Sequence, residues 1–487
     1  MPINSFLYPA KNVPTSYEVA NSCRFNDDDT AYFNKTPSAG DRAKWTFSCW
    51  FKLGNIPGAS ANHCLFSSGS SGADQATIKI SNQKIDWWEW DQSANDFIGY
   101  LSTNRKIRDP SAWYHLVCTW DSDNGTAGNR MRMYINGTEE TSFATDTNPT
   151  SGFDSNINSN VAHEIGREAN NSSNYWDGYL AEMAFCDGQA YAASDFGEFD
   201  DDSPTIWKPK DISGLTFGSR GWYLDFEDSG DLDDDESGNT NDWTANNLAA
   251  ADQATDTPTN SFCTLNPLSN RTSGGTVTAC TFAEGNNKAT HGHGSNVTIA
   301  VGTMAVSSGK WYFEAKVDDA GGDANIGVIS ASADLSGQQG VSGHPSIYYG
   351  SNGKKCYNVI ASNDGDSFGD TYTDDDIISV ALDLDNNVIW FAKNGTWQDS
   401  GDPTSGATAT GAAFSGTGTS DGFPTTSSFY LPVTVGYNSF IVSANFGGCP
   451  AFSISSGNAD ANGYGNFEYA VPSGYYALCT KNLAEYG

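Results

Sequence analysis

The sequence has few positive charges and no long apolar stretch. Lys and Arg together number 25 against 59 Asp and Glu, which gives a formal net charge of −34. Proteins that neutralise phosphates or dock on anionic lipids need clustered cations. The composition therefore argues against a nucleic-acid partner and against binding to an anionic membrane surface. No run approaches the roughly 20 apolar residues of a membrane-spanning helix, so we expect no membrane insertion.

A secretory signal and closely paired cysteines are also missing. The opening residues, Met-Pro-Ile-Asn-Ser-Phe, lack the basic segment and apolar stretch of a signal peptide. None of the ten cysteines lies in a CxxC pair, the spacing of zinc ribbons and thioredoxin-like motifs. Cys49, Cys118 and Cys186 alternate within apolar runs, where a thiol behaves as a small core residue. We therefore expect reduced cysteines and synthesis in a reducing cytoplasm.

Aromatic residues and glycine are abundant, and they favour an all-β fold. The chain has 14 Trp, 22 Tyr, 26 Phe and 51 Gly, and no segment shows a convincing helical period. Residues 45–53 alternate, with Phe47 and Phe51 on one face and Thr46, Ser48 and Lys52 on the other, which predicts a half-buried strand. Asn82-Gln83 and Asn136-Gly137 separate strand-like runs and predict hairpins.

The many short strands with frequent turn residues predict two tandem antiparallel β-sandwiches of the jelly-roll type. The first covers residues 1–210 and the second covers residues 277–487. Residues 211–276 separate them and contain an acidic cluster, Asp225–Glu236, together with Pro258. We predict that this stretch is an acidic, loop-rich connecting segment.

Two stretches resemble known domain families. Residues 113–138 (WYHLVCTWDSDNGTAGNRMRMYINGT) and 164–187 (EIGREANNSSNYWDGYLAEMAFCD) resemble the core strands of laminin-G-like, concanavalin A-like domains. Residues 310–317 (KWYFEAKV) and 376–397 (DIISVALDLDNNVIWFAKNGTW) resemble the SPRY domain, although Asp375-Asp376 replaces its usual Gly-Asp entry. The first family includes lectins, adhesion modules and glycosidases, so it indicates fold more than function. SPRY domains bind partners through loops and are not known as catalysts.

A third resemblance concerns the segment between the two domains and the end of the chain. Residues 221–268 (beginning GWYLDFEDSGDLDDDESGN) and 474–483 (GYYALCTKNL) resemble segments that recur in virion proteins of tailed phages, particularly marine ones. This resemblance implies a virion surface protein whose partners are other phage virion proteins and a host cell-surface glycan. Because virion appendages follow particle symmetry, it also implies a homo-oligomer.

Aromatic residues at two places are candidates for glycan binding. In Asp86-Trp87-Trp88-Glu89-Trp90, alternation places Trp88 and Trp90 on one strand face and Trp87 on the other. One face packs into the core, and the other could form a platform on which sugar rings stack. Tyr175 and Trp176, in a polar loop before a strand, are candidates for the same role, and core packing is the alternative for both.

Asp121, Asp123 and Asn124 form a possible calcium site. Two carboxylates at i and i+2 with an adjacent amide oxygen supply the hard oxygen ligands that Ca²⁺ prefers. Laminin-G-like domains often carry calcium at such a loop edge. Position 132, however, is Arg instead of the Glu that completes a twelve-residue calcium loop, so a solvated turn is the alternative. No cofactor is otherwise required.

The carboxylate motif of glycosidases is absent from the sequence. Glycosidases of this fold carry Glu-x-Asp-x-Glu along one strand, and that triplet does not occur. The sequence therefore favours a non-enzymatic virion protein, either a head decoration or a tail-fibre-like appendage, that exposes loops for binding. Two alternatives stay open: a polysaccharide depolymerase, and a SPRY-type module that docks another virion protein.

Overall fold

The computed structural model describes residues 17–56, 61–269, 271–272, 280–292, 297–322, 324–333, 342–359, 365–417, 423, 429–436 and 438–487. These residues form two compact units that divide between Thr259 and Asn260. Almost all regular structure is strand, which confirms the all-β prediction.

In the described part of the first unit there are eighteen strands: β1 Ser22–Phe25, β2 Tyr32–Lys35, β3 Lys44–Leu53, β4 Asn62–Gly69, β5 Gln75–Ser81, β6 Lys84–Asp91, β7 Asp96–Thr103, β8 Trp113–Asp121, β9 Met131–Ile135, β10 Thr138–Glu139, β11 Phe143–Thr147, β12 His163–Ile165, β13 Gly178–Asp187, β14 Gly197–Phe199, β15 Trp207–Pro209, β16 Trp222–Leu224, β17 Thr244–Asn246 and β18 Gln253–Ala254. Short 3₁₀ turns occur at Asp27–Asp29, Ala127–Asn129, Ala193–Asp195 and Ala250–Asp252.

Sixteen of these strands form two antiparallel eight-stranded sheets, and β14 pairs with β15 in a separate two-stranded sheet. Sheet 1 has the order β10-β9-β8-β3-β13-β1-β18, with β16 also pairing with β13. Sheet 2 has the order β11-β7-β6-β5-β4-β12-β2-β17. The side chains between them form an aromatic core, in which the rings of Phe47 and Phe66 stack with centroids 5.0 Å apart. This arrangement is the predicted sandwich.

The two predicted hairpins have the turn geometry that their sequences favour. Asn82 and Gln83, between β5 and β6, have φ angles of 47° and 68°. Asn136 and Gly137, between β9 and β10, have φ angles of 48° and 75°. Positive φ at both central residues is the requirement of a type I′ turn, which fits the twist of the flanking strands.

Strand β3 is buried on both faces, whereas its alternation predicted a half-buried strand. Thr46, Ser48 and Lys52, expected to face solvent, are buried. The reason is that residues 188–217 cross the outer face of sheet 1 and cover it with apolar side chains. Thr46 helps to fix this cover, because its hydroxyl donates to the carbonyl of Gln189 over 2.9 Å.

The predicted connecting segment, 211–276, is divided between the two units instead of lying between them. Strand β16 extends sheet 1 and β17 extends sheet 2. Trp222 and Trp243 pack edge to face in the core of the first unit, with ring centroids 5.1 Å apart. The first unit therefore continues to Thr259. The acidic composition of this stretch did not indicate that the tryptophans within it are buried.

Among its described residues, the second unit contains sixteen strands and one α-helix: β19 Arg271–Thr272, β20 Thr281–Ala283, β21 Lys288–Thr290, β22 Thr298–Val301, β23 Lys310–Asp319, β24 Asn325–Ser330, β25 Ser342–Gly350, β26 Lys354–Val359, β27 Asp366–Ser367, β28 Ile377–Asp383, β29 Val388–Lys393, β30 Thr396–Trp397, β31 Phe414–Ser415, β32 Tyr430–Gly436, β33 Ile441–Asn445, β34 Tyr476–Ala477 and α1 Thr480–Tyr486. Short 3₁₀ turns occur at Pro267–Ser269, Gln398–Ser400 and Pro403–Thr408.

These strands form a second sandwich. Sheet 3 has the order β19-β22-β32-β24-β25-β26-β27. Sheet 4 has the order β20-β21-β33-β23-β28-β29-β30, with β31 also pairing with β29 and β34 with β23. The buried carboxylate of Glu314 on β23 accepts hydrogen bonds from the backbone amides of Glu468 and Tyr469, both over 2.9 Å. This carboxylate therefore fastens the C-terminal segment to sheet 4.

All ten cysteines are buried, and none of them forms a disulfide in the structure. Burial raises the pKa of the Cys49 thiol well above its usual range, which makes it a packing group instead of a nucleophile. In the part of the chain that the structure describes, no helix is long and apolar enough to cross a membrane.

Glu182, on β13, is a buried carboxyl group whose protonation should affect stability. It accepts hydrogen bonds from the hydroxyls of Tyr17 (2.9 Å) and Tyr223 (2.8 Å). Burial is the largest influence on this group and raises its pKa from 4.5 to about 7, while the two hydroxyls oppose the shift. Because the pKa is raised in the folded state, the protonated group's contribution is complete below about pH 4.5 and is lost as the pH rises through about 7.

We expect Glu182→Gln to remove this pH dependence. Between pH 5 and pH 8 the variant should gain roughly 3 kcal/mol of unfolding free energy relative to the native protein, since each unit of pKa shift corresponds to about 1.4 kcal/mol. Urea unfolding at the two pH values measures the difference. Glu198→Gln, at a side chain 43% exposed, is the control and should show no such divergence. Parallel pH profiles for Glu182→Gln and the native protein would contradict the prediction.

Candidate functional site

Strand β6 separates its three tryptophans between the core and the outer face of sheet 2. Trp87 is fully buried between the sheets. Trp88 is 8% exposed and Trp90 is half-buried, and both lie on the opposite face. Alternation therefore predicted the partition, and the structure shows that Trp87 belongs to the core. Trp87 consequently has no access to a ligand, which removes it from the predicted glycan-binding residues.

The outer-face tryptophans belong to an aromatic patch formed by Trp88, Trp90, Phe97 and Tyr100. Phe97 lies at the centre, with its ring centroid 5.6 Å from that of Trp88 and 5.0 Å from those of Trp90 and Tyr100. Its side chain is 37% exposed. Contact among four rings holds them in place on the sheet, so the aromatic patch is an ordered, partly exposed apolar surface.

The sequence pattern did not predict Phe97 and Tyr100 as members of this patch. Tyr100 on β7 stands directly opposite Trp88 on β6, a pairing that hairpin counting across residues 91–96 could have suggested. Phe97 reaches Trp90 only because the register shifts between Glu89 and Trp90. A β-bulge of this kind moves side chains to the other face, and simple alternation does not reveal it.

Polar groups border the aromatic patch. The hydroxyl of Tyr100 donates to Asp86 over 3.4 Å, and burial raises the pKa of the Asp86 carboxyl. The ammonium of Lys79 lies 5.5 Å from the Trp88 ring centroid and pairs with Glu168 over 3.4 Å. Carboxylate, hydroxyl and ammonium groups beside aromatic rings can hydrogen-bond the hydroxyls of a molecule whose apolar face lies on the rings.

Trp176, predicted as a glycan-binding residue, is fully buried. Its ring meets that of Phe51 edge to face, with centroids 5.7 Å apart, so it serves the core. The polar residues before it form the turn, and the chain has already entered the sandwich at Trp176. That placement removes this residue from the predicted set.

Tyr175 is half-buried and belongs to a small cation–aromatic cluster. The guanidinium of Arg167 lies 3.5 Å from the Tyr32 ring centroid and 6.0 Å from that of Tyr175. The same guanidinium forms a fork with Glu164. Tyr175 thus faces other protein groups, and it is a weaker candidate than the aromatic patch.

The predicted calcium residues do not converge on a cation. The Asp121 carboxylate is 3.9 Å from the ammonium of Lys44, Asp123 is exposed, and the Asn124 side-chain oxygen accepts a hydrogen bond from Thr126 over 3.0 Å. Within the described ranges, no group of three or more His, Cys, Asp or Glu side chains could hold a metal ion. These residues do not fit the calcium site that laminin-G-like domains suggest.

Comparison with known proteins identifies two domains. The family described as the concanavalin A-like lectin/glucanases superfamily matches residues 25–193, and the family described as the SPRY domain matches residues 310–426. Both resemblances predicted from the sequence are thereby confirmed. The chain therefore combines two binding-type folds, which indicates a binding or adhesion module. The tailed-phage resemblance stays a prediction.

Individual relatives are distant and cover parts of the chain. Ran-binding protein 10 of Danio rerio is 32% identical over 109 residues, which are 21% of this chain and 18% of that protein's length. The SPRY domain of human HERC1 is 17% identical with a TM-score of 0.27, covering 39% of this chain and 99% of that one. The SAP-like pentraxin of Limulus polyphemus is 17% identical with a TM-score of 0.26, covering 36% and 80%. The chain thus spans less than a fifth of the length of that curated relative.

Proposed function

We propose that the chain is a non-enzymatic adhesion protein on the surface of a tailed-phage virion, and that the aromatic patch of its first unit binds a host cell-surface glycan. The observation that carries the binding role is the aromatic patch itself. It places four contacting rings on an outer sheet face beside Asp86 and Lys79.

The chemistry of the aromatic patch suits a saccharide. The C–H faces of sugar rings pack against aromatic rings, and their hydroxyls take hydrogen bonds from polar groups at the border. Such a shallow surface buries little of its ligand, so a single site should bind weakly. Many copies on one particle would then raise the overall affinity through effective concentration.

The virion role is supported by the resemblance of residues 221–268 and 474–483 to segments of phage virion proteins. A head decoration or tail-fibre-like appendage would be made in the host cytoplasm and would contact other virion proteins, and the SPRY domain is the natural candidate for that docking. Symmetric repetition on the particle makes a homo-oligomer the expected state.

A binding assay with two patch variants tests the glycan role. The chain is displayed in many copies on beads and applied to an array of bacterial surface polysaccharides. Trp90→Ala and Phe97→Ala should each lower the signal roughly tenfold or more, since the loss at each site is multiplied across copies. Both residues are partly exposed, so the melting temperature should change little.

Phe199→Ala is the matched control, because Phe199 is 43% exposed and lies outside the aromatic patch. An equal loss of signal for Phe199→Ala, or no loss for the two patch variants, would contradict the glycan role. Release of reducing ends from a bound polysaccharide would instead assign a depolymerase and overturn the non-enzymatic part of the proposal.

A further inference from the structure

The loop between β8 and β9 contains an Asn-Gly pair, Asn124-Gly125, whose reacting groups are both unpaired. Asn124 is half-buried and Gly125 is exposed. A Cβ placed on Gly125 would meet no atom within 4 Å, so the chain around it is open. Among the described residues, the Gly125 amide donates no hydrogen bond, and the side-chain nitrogen of Asn124 donates none either. The Gly125 nitrogen is therefore free to lose its proton and act as a nucleophile.

Hydrogen bonds orient the Asn124 carbonyls within this loop. The side-chain Oδ1 accepts from the backbone amide of Thr126 over 3.0 Å, which is the local turn that asparagine favours. The main-chain carbonyl accepts from Nε of Arg130 over 2.9 Å. The turn folds the side-chain carbonyl carbon, Cγ, towards the nitrogen of Gly125. The Thr126 N–H is then placed to stabilise the negative charge that develops on Oδ1 when this carbon is attacked.

The other Asn-Gly pairs of the chain are Asn136-Gly137, Asn352-Gly353, Asn394-Gly395 and Asn462-Gly463. In Asn394, Oδ1 accepts from a backbone amide over 2.8 Å and Nδ2 donates to a carboxylate over 2.7 Å. The amides of Gly353 and Gly463 already donate in backbone hydrogen bonds of 3.0 Å. A Cβ on Gly137 would lie 2.2 Å from the Trp207 ring, so that turn is closely packed. Each of these pairs is thus more restrained than Asn124-Gly125.

We propose that Asn124 is a site of spontaneous deamidation, at which the chain modifies its own β8–β9 loop. The Gly125 nitrogen loses its proton to water and bonds to Cγ of Asn124, and the side-chain nitrogen leaves as ammonia. One water then opens the resulting five-membered cyclic imide at either of its carbonyls. Opening at one carbonyl gives aspartate, and opening at the other gives isoaspartate. The reaction consumes only water and needs no oxidant, metal or second substrate.

Both products change the loop. Each adds a negative charge close in sequence to Asp121 and Asp123, in a chain whose net charge is already −34. Isoaspartate also inserts an extra carbon into the main chain, so the hydrogen bonds from Thr126 and Arg130 to residue 124 should be lost. The β8–β9 loop of an aged molecule therefore differs in charge and shape from that of a newly made one.

Incubation of the full chain at mildly alkaline pH, in water enriched in heavy oxygen, tests this site. Peptide mass spectrometry follows the entry of solvent oxygen at each Asn-Gly pair, and a methyltransferase specific for isoaspartate labels the rearranged product. Asn124 should convert at least about tenfold faster than Asn462, since it combines a free nucleophile with an amide that stabilises the developing charge. In denaturant the five pairs should convert at similar rates, because the hydrogen bonds that distinguish them are lost.

Asn462 is the matched internal control. A Cβ on Gly463 would also meet no atom within 4 Å, but the Gly463 amide is hydrogen-bonded and the Asn462 Nδ2 donates to Asn482 over 2.9 Å. The two sites therefore share the open surroundings and differ in the hydrogen bonding of their reacting groups.

Two variants test the chemistry at Asn124. Gly125→Ala should slow conversion about tenfold, because a Cβ shields the attacking nitrogen. It should keep the fold, since the added atom meets nothing and the φ of Gly125 is not positive. Asn124→Gln should abolish conversion, because its longer side chain cannot close a five-membered ring. Three results would each overturn the proposal: no heavy oxygen at residue 124, conversion at Asn124 no faster than at Asn462, or an unchanged rate in Gly125→Ala.

Discussion

Asp256→Ala should lower the unfolding free energy of the first unit by about 3–5 kcal/mol, because it leaves a buried ammonium without its carboxylate. The Lys52 Nζ lies 2.7 Å from the Asp256 carboxylate, and both side chains are 1% exposed. The indole N–H of Trp113 donates to the same carboxylate over 2.9 Å. The carbonyl of Asp256 accepts from Ser22 over 2.6 Å. Asp256, a single residue in the segment after β18, therefore binds three strands of sheet 1.

Denaturant unfolding of the full chain measures the loss, and hydrogen exchange of peptides from β1, β3 and β8 localises it. Asp154→Ala is the control, because its ion pair with Arg42 spans 4.0 Å with side chains 32% and 65% exposed. That exposed pair should contribute less than about 1 kcal/mol.

The double variant Lys52→Met, Asp256→Leu should recover most of the stability, since well-packed apolar groups can replace a buried ion pair. A small effect of Asp256→Ala, similar to that of Asp154→Ala, would mean that the segment after β18 does not hold the first unit together.

The position of Asp256 shows where sequence patterns fail for this fold. Acidic clusters and prolines predicted that 211–276 is a connecting segment, because composition describes a segment's average and not its few buried residues. Lys52 occupied the polar face of an alternating strand, and alternation indicates solvent unless a further layer covers that face. Residues 188–217 and 253–256 are such a layer, formed by segments without a strong pattern of their own.

Local features were more predictable than long-range ones. The hairpins at Asn82 and Asn136 follow from turn chemistry within a few residues. Alternation shows that Trp87 and Trp90 lie on opposite faces of β6. It does not show which face is buried, because that depends on sheet 1, whose strands are distant in sequence. The prediction that Trp176 binds a glycan was wrong because its polar neighbours belong to a turn, and the turn ends just before Trp176 enters the core.

The candidate calcium residues illustrate the same limit. Asp121, Asp123 and Asn124 have suitable spacing, but ligand geometry depends on where each side chain points and on neighbours such as Lys44.

Trp87→Ala should also cost about 3–5 kcal/mol of unfolding free energy, the usual loss for truncating a buried tryptophan. Trp87 packs with Trp45 and Trp120, at ring-centroid distances of 5.5 and 6.2 Å, and all three are fully buried. Neither sheet can close the resulting cavity easily, because Trp45 and Trp120 belong to sheet 1 and Trp87 to sheet 2. A domain with a typical stability of about 5–15 kcal/mol would lose a large fraction of it.

Trp90→Ala is the matched control on the same strand. It removes the same side chain from the outer face, where Trp90 is half-buried, and should therefore change the unfolding free energy much less. The loss of unfolding free energy for Trp87→Phe should lie between those of Trp87→Ala and Trp90→Ala, since this variant keeps an aromatic ring in the core. Denaturant midpoints for the three variants give the comparison, and hydrogen exchange in β5, β6 and β7 reports the affected region. If Trp90→Ala lowered the unfolding free energy as much as Trp87→Ala, the outer rings would form a second core. The aromatic patch would then not be a binding surface.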